Sequence, residues 1–285
     1  MNRRGFILAA LALACLGIYL FVSAPLPLEE EQAASASIPV ERLLVALEAE
    51  NDAVRALWTR EIVDAGGKAG LKFDEHWRDA DLEAGPLPAL FLRETARRLE
   101  RDPVPLSLFL GSDYPINDAN RFDGLQLERF HALRRTGEPQ FFYLPDIARH
   151  AGMFSDIAVA EACVDCHNQH EQTPKNDWRL NDVMGATTWL YPAGQVTPRE
   201  FMQAVTALHQ AFEDAYRAYI DKVTTFAEPP AVGERWPRDG YFLPAPEVFM
   251  AEALRRTAPA TLAALAQAME DPGPVPVGNA DDAGR

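Results

Sequence analysis

The apolar positions in the first part of the chain repeat at helical intervals. Residues 38–67 carry such a stripe, and Gly66-Gly67 ends it, so the pattern predicts a long helix. A second helical stretch, PALFLRETARRLERD, stops before Pro103, because the residue preceding a proline disfavours helix. The apolar stripe of the first helix consists of Leu43, Leu44, Leu47, Val54, Leu57 and Ile62.

The pattern changes between residues 104 and 192. Alternating apolar and polar positions predict short strands near Leu106 to Leu110 and in PQFFYLPD, FSDIAVAEA and VMGATTWLYP. The stretch FDGLQLERFHALRRTGEP predicts a helix between the first two strands. The connections are too short for repeated helical crossovers, which favours antiparallel pairing. The sequence therefore predicts an α+β fold.

The helical period returns at Thr197. A long helix is predicted from there to about residue 224, Pro229-Pro230 interrupts the pattern, and PEVFMAEALRRTAPATLAALAQAME predicts a final helix. Residues 193–270 are thus predicted to be a helical extension, and the Pro/Gly/Asp-rich residues 271–285 a disordered tail. No internal repeat is visible in the sequence. The long stripe, which would suit a homodimer, consists of Phe201, Val205, Leu208, Phe212, Tyr216, Tyr219 and Val223.

The N-terminal residues 1–28 predict a membrane anchor or signal segment. Arg3 and Arg4 precede an uncharged stretch from Gly5 to Leu28, and three glutamates follow. A span needs about 20 apolar residues, and this charge order places the remainder of the chain outside. A cleaved signal peptide is the alternative, although Pro25 directly after the candidate site disfavours cleavage. We expect a single-pass protein of a bacterial inner membrane with its body in the periplasm.

The net charge and the cysteine count limit the kinds of partner and cross-link that the chain can have. The formal net charge of −15 excludes nucleic acid as an expected partner, because phosphate binding needs a basic face. The chain has three cysteines, and Cys15 lies in the N-terminal apolar stretch. The exported part therefore holds Cys163 and Cys166, which is too few for a disulfide framework.

The stretch ACVDCHNQH carries the chemistry. Cys-x-x-Cys-His is the attachment motif of c-type haem: Cys163 and Cys166 would bind two vinyl groups of one porphyrin, and His167 the iron. Zinc is an alternative, since His170 completes a set of four ligands, but these lie unusually close together for a structural site. A disulfide or redox pair is the third reading. Neither alternative accounts for a histidine directly after the second cysteine, so one covalent haem c is predicted.

Longer stretches extend this interpretation. YPINDANRFDGLQLERFHA, EPQFFYLPD and ACVDCHNQHEQTPKNDWRLNDVMGATTWLYP resemble the haem c-binding, PAS-like sensory domain of bacterial signalling proteins, a family long catalogued as a domain of unknown function. The resemblance covers roughly residues 38–192. It implies an antiparallel sheet with flanking helices around one haem c. It also directs attention to the Pro-Lys-x-Asp-Trp run, in which Lys175 and Trp178 are candidate haem contacts.

Two features depart from this family. No second apolar span or output domain follows Pro192, so a separate signalling or redox partner is expected. Some relatives are thought to take a sixth iron ligand from a cysteine in the N-terminal helices, and this chain has none there. The candidates, besides water or an open position, are His76, His131, His150, Met153 and Met184.

Two functions follow from the sequence. The first is a membrane-anchored periplasmic mono-haem c sensor of redox state or of a gas ligand. The second is a single-haem electron-transfer protein. No acid–base pair marks a reaction centre, and the chain is not predicted to be an enzyme.

Overall fold

The computed structural model describes residues 37–159, 161–237 and 243–270. The predicted anchor and the predicted tail both lie outside these ranges. Within the described ranges, no helix is long and apolar enough to cross a membrane.

The helices follow the predicted order, with one addition. The α-helices are α1 Val40–Leu57, α2 Ala65–Lys68, α3 Pro88–Leu99, α4 Gly124–Thr136, α5 Glu161–Gln169, α6 Pro198–Val223 and α7 Pro246–Glu270. A π-helical segment, Trp58–Asp64, joins α1 to α2, so the long N-terminal helix is continuous but not regular. The helix that the sequence pattern did not predict is α5.

The strands are mostly short. They are β1 Ile38–Pro39, β2 Phe73–Asp74, β3 Gly85–Pro86, β4 Ser107–Gly111, β5 Gln140–Leu144, β6 Arg149–Ile157, β7 Val183–Tyr191, β8 Gln195–Val196, β9 Val232–Gly233 and β10 Leu243–Pro244. The stretch FSDIAVAEA was expected to be a strand throughout. The strand instead begins earlier, directly after Ala148 in a left-handed conformation, and it ends at an irregularity between Asp156 and Ile157.

A four-stranded antiparallel sheet forms the centre, in the order β4-β7-β6-β5. Both faces are covered. Phe154 packs into the large core with α1, whereas its neighbour Met153 packs with Phe130 of α4. Adjacent strand residues point to opposite faces, so α1 and α4 lie on opposite sides of the sheet. The predicted α+β class and antiparallel pairing are confirmed.

The helices contain an internal repeat that the sequence pattern did not reveal. Ser37 donates a hydrogen bond to Gln195, 158 positions further on, at 2.8 Å. The same spacing relates three buried or turn positions in two regions, which we name the N-terminal helical unit (residues 37–101) and the C-terminal helical unit (residues 195–270). The related pairs are Trp58 and Tyr216, Pro86 and Pro244, and Phe91 and Phe249.

Equivalent residues make equivalent contacts. Trp58 stacks on Phe91 with ring centroids 4.3 Å apart, and its indole N–H donates to the Pro86 carbonyl at 3.2 Å. Tyr216 stacks on Phe249 at 4.2 Å, and its hydroxyl donates to the Pro244 carbonyl at 2.6 Å. In each unit two short parallel strands precede the second helix.

The two units pack crosswise. Helix α1 packs against α7 and α3 against α6, while β1 pairs antiparallel with β8. Aromatic and aliphatic residues from both units therefore share one core. The apolar stripe of α6, which the sequence suggested for a homodimer, is buried inside the chain. A homodimer through another surface stays a prediction.

Candidate functional site

Helix α5 presents the three motif residues together. Residues three and four apart lie on one helix face, and Cys163, Cys166 and His167 have this spacing. All three line one cavity. The two cysteines are not joined in a disulfide, which leaves their thiols to face the cavity one turn apart.

This cavity, which we name the α5 cavity, has a volume of about 1190 Å³. Typical ligand pockets measure about 300–1,000 Å³, so the space suits a large cofactor. Its walls come from the π-helical end of α1, the loop after β2, the first half of α3, the end of β4 with the loop after it, and α5. At its edge Gly185 approaches the Gly111 carbonyl so closely that a Cβ would lie 2.6 Å from that oxygen.

A side-chain clamp holds the loop after α5. The Asn168 amide donates to the Trp178 carbonyl at 3.0 Å, and its oxygen accepts from the Trp178 N–H at 2.9 Å. Trp178 is buried beside Val164 and Met184. The Lys175 ammonium pairs with Asp177 and lies 4.5 Å from the centroid of the Trp178 ring. Neither Lys175 nor Trp178 lines the α5 cavity, so their roles as haem contacts stay predictions that this geometry does not support.

His170 faces the cavity but is engaged by protein groups. Its Nδ1 accepts from the Gln172 N–H at 3.0 Å, so its Nε2 carries the proton and donates to Glu75 at 3.0 Å. Within the described ranges no group of three or more histidine, cysteine or carboxylate side chains is arranged to hold a metal ion. The occupied ring nitrogens of His170 therefore argue against the zinc alternative.

Burial sets the charge state of the motif residues. Burial lowers the pKa of His167 below its ordinary value of 6.5, and the Asp156 carboxylate opposes this shift. The neutral imidazole that results is the form that ligates metals. Burial, with the nearby Glu75 carboxylate, raises the pKa of Cys166 above 9.0.

A cluster of buried charges adjoins the cavity on the α1 side. Arg55 pairs with Asp156, and both line the α5 cavity. Glu48 lies behind them, buried, and accepts from the Trp189 indole at 2.7 Å. Burial, together with the charge of Asp52, raises the pKa of Glu48 well above its ordinary value of 4.5. Sequence reasoning missed this cluster, because its members come from α1, β6 and β7 and share no motif.

Two of the five candidates for a sixth iron ligand reach the cavity. They are His76, whose side chain is 67% exposed beside Asp74, and Met184, which packs in the small cluster with Cys163. The other three lie elsewhere. His131 lies 3.6 Å from Asp113. His150 packs against Tyr143, and Met153 is buried in the core under α4.

The fold and the site define a mixed α/β protein in which a helix presents a Cys-x-x-Cys-His motif to a large cavity. A family model described as Tll0287-like matches residues 31–192, more than half of the chain. The chain therefore belongs to the Tll0287-like family. The match ends before the C-terminal helical unit. No curated protein and no solved structure matches the chain.

Proposed function

We propose that this chain binds one haem c in the α5 cavity through Cys163, Cys166 and His167. The observation that carries the proposal is the single helix face that presents both thiols and the imidazole to a cavity of about 1190 Å³. The resemblance to a PAS-like haem c sensory domain covers nearly the same residues as the family match.

The side chains fit such a cofactor. Thiols one helical turn apart suit two thioether bonds to one porphyrin, and a neutral His167 suits an iron ligand. Bound haem would supply reversible one-electron chemistry and, where its sixth position is free, a site for a diatomic gas. The chain's own residues hold α5 in place through the Asn168 clamp and pair Arg55 with Asp156 in the cavity wall.

The two side chains that could reach the iron as a sixth ligand favour a sensor role over electron transfer. His76 is largely exposed, and its Nδ1 faces the carboxylates of Asp74 and Glu75. Met184 is buried in the small cluster with Cys163, and it would have to leave this packing to bind an iron. We therefore propose a weakly held sixth position that responds to redox state or to a gas. Electron transfer is the second candidate, and it would need one of these side chains to bind firmly.

The remaining proposals concern the cellular location of the protein and its partners. Covalent haem is attached outside the bacterial cytoplasm, which agrees with the charge order of the N-terminal residues. We propose a periplasmic body anchored to the inner membrane that reports to, or exchanges electrons with, a separate protein.

The test is an optical spectrum of the full chain produced in a host that matures c-type haem. We expect covalent haem in an alkaline pyridine assay, its loss in a Cys163→Ala, Cys166→Ala double variant, and an altered iron spectrum in His167→Ala. His170→Ala, directly after the same helix, is the control and should keep both features.

Carbon monoxide separates the two functions. A rapid shift of the reduced bands supports a labile sixth position and sensing. Reduced bands that do not respond would favour electron transfer. Absence of covalent haem in the wild-type chain would contradict the proposal as a whole.

A further inference from the structure

Three arginines line the α5 cavity, and two of them are engaged. Arg55 pairs with Asp156, which lies beside it in the wall. Arg121 donates to the Asp113 carbonyl at 2.9 Å and pairs with Asp118 at 2.5 Å. The third, Arg93 on α3, makes no hydrogen bond or ion pair with any residue in the described ranges.

No acidic group in the part of the chain that the structure describes compensates the charge of Arg93. The adjacent acid on α3, Glu94, bonds Arg78 and Arg98 and lies 3.6 Å from Arg97. Burial and the like charge of Arg97 lower the pKa of Arg93. A half-buried guanidinium without a counter-ion is costly, because desolvation disfavours the charged form. An anion within the cavity would remove this cost.

The internal repeat shows that packing does not require an arginine at this position. The same ion-pair set recurs in the C-terminal helical unit, where Glu252, Arg255 and Arg256 take the places of Glu94, Arg97 and Arg98. The position equivalent to Arg93 is Ala251. No described residue of the C-terminal helical unit lines the α5 cavity. Arg93 therefore lines the α5 cavity, whereas its counterpart Ala251 lines a separate, smaller cavity of about 430 Å³.

The cavity wall otherwise repels anions. Five carboxylates line it. The first turn of α3 is the part of the wall that attracts anions, because a helix N-terminus favours negative charge. Arg93 lies one turn further along that helix. The carboxylates are Asp64, Asp74, Glu75, Asp118 and Asp156.

We infer that Arg93 binds a propionate carboxylate of the haem, an inference that rests on the proposed haem c. The guanidinium suits this role, because its planar donors match a carboxylate with two parallel hydrogen bonds. The positive charge also stabilises the reduced haem, whose net charge is more negative by one, and it holds the propionate ionised.

The experiment uses the full chain with haem attached and compares Arg93→Ala and Arg93→Gln with Arg97→Ala. The reduction potential is measured by optical titration across a range of pH. We expect both Arg93 variants to have a lower potential than the wild type. The pH inflection of the potential should move upward by about one unit or more, because an acid loses that much stabilisation when its cation is removed. Arg97→Ala, one turn away and paired with Glu94, should leave the inflection in place.

The outcomes separate the two claims. Wild-type chain without covalent haem would overturn the haem proposal and this inference together. If haem is present but the Arg93 variants titrate like Arg97→Ala, the propionate contact alone is overturned. Folding is checked by circular dichroism, and Ala251 in the repeated unit indicates that alanine fits this helix position.

Discussion

The two helical units share a skeleton and differ in what they face. Each has an aromatic stack, a hydrogen bond to a turn proline and a Glu-Arg-Arg ion-pair set. The N-terminal helical unit forms walls of the α5 cavity, whereas none of the cavity's lining residues in the described ranges belongs to the C-terminal helical unit. Features present in both units therefore serve the fold. Arg93 and Glu48 have no charged equivalent in the C-terminal helical unit, where Ala251 and Thr206 take their places, and they are the candidates for function.

The largest expected effect concerns the shared aromatic core. Trp58 and Tyr216 are both fully buried, and their ring centroids are 6.0 Å apart. Trp58→Ala and Tyr216→Ala should each lower the free energy of unfolding by about 3–5 kcal/mol, because each leaves a large cavity. Residues in contact are not additive, so the double variant should depart from the sum by about 0.5 kcal/mol or more. Urea unfolding followed by circular dichroism measures all three.

Tyr216→Phe is the control for this comparison. It keeps the ring and removes the hydrogen bond to the Pro244 carbonyl, which should cost about 1 kcal/mol. If the costs of the two single alanine variants simply add in the double variant, the two units do not share one cooperative core. The same conclusion follows if Tyr216→Ala costs less than this value.

A smaller effect separates the two ion-pair sets. The Glu94 side chain is 5% exposed and bonds two arginines, whereas the Glu252 side chain is 21% exposed. Glu94→Gln should cost about 2 kcal/mol, in the range for buried hydrogen bonds to charged groups. Glu252→Gln should cost about 1 kcal/mol or less, because solvent screens the pair, even though its arginines lower the pKa of Glu252 to about 2. Equal costs in unfolding experiments would contradict this ranking.

The sequence predicted the elements whose signals are local. Helix α6 begins at a capping box in which the Thr197 hydroxyl and the Glu200 side chain bond each other's backbone N–H groups, and its apolar stripe is regular. Strand β7 is rich in β-branched and aromatic residues, and it was predicted nearly to the residue. The motif on α5 was recognised because two thiols and an imidazole at that spacing have few other uses.

Other features depend on contacts between distant parts of the chain. Helix α5 consists largely of poor helix formers, and the Asn168–Trp178 clamp holds it from outside. The sequence carries only a sparse trace of the repeat: the proline, phenylalanine and Glu-Arg-Arg positions are identical in the two units, but Trp58 and Tyr216 differ in type, and their equivalence is visible only in their shared geometry. Arg55 and Arg93 reach one cavity through tertiary packing, which no spacing rule in the sequence could indicate.

The last difference between the two units is a pH dependence at Glu48 on α1. Glu48 is 6% exposed, and the charged groups around it are Asp52, Arg55 and Asp156. The equivalent position in the C-terminal helical unit is Thr206, which carries no charge. Because burial raises the pKa of Glu48 in the folded chain, ionisation costs more there than in the unfolded chain. The contribution of Glu48 to stability should therefore fall as pH rises from about 4.5 through the raised folded pKa.

Glu48→Gln removes this titration and leaves an oxygen to accept from the Trp189 indole. The free energy of unfolding of the variant should rise relative to the wild type between pH 5 and pH 8, by about 1 kcal/mol for each unit by which the pKa is raised. Glu228→Gln, at an exposed position, is the matched control and should follow the wild type. A constant difference between Glu48→Gln and the wild type across this range would show that Glu48 stays ionised in the fold, most simply through the charge of Arg55. The cluster would then be a fixed counter-charge beside the cavity and could not take up a proton when the charge in the cavity changes.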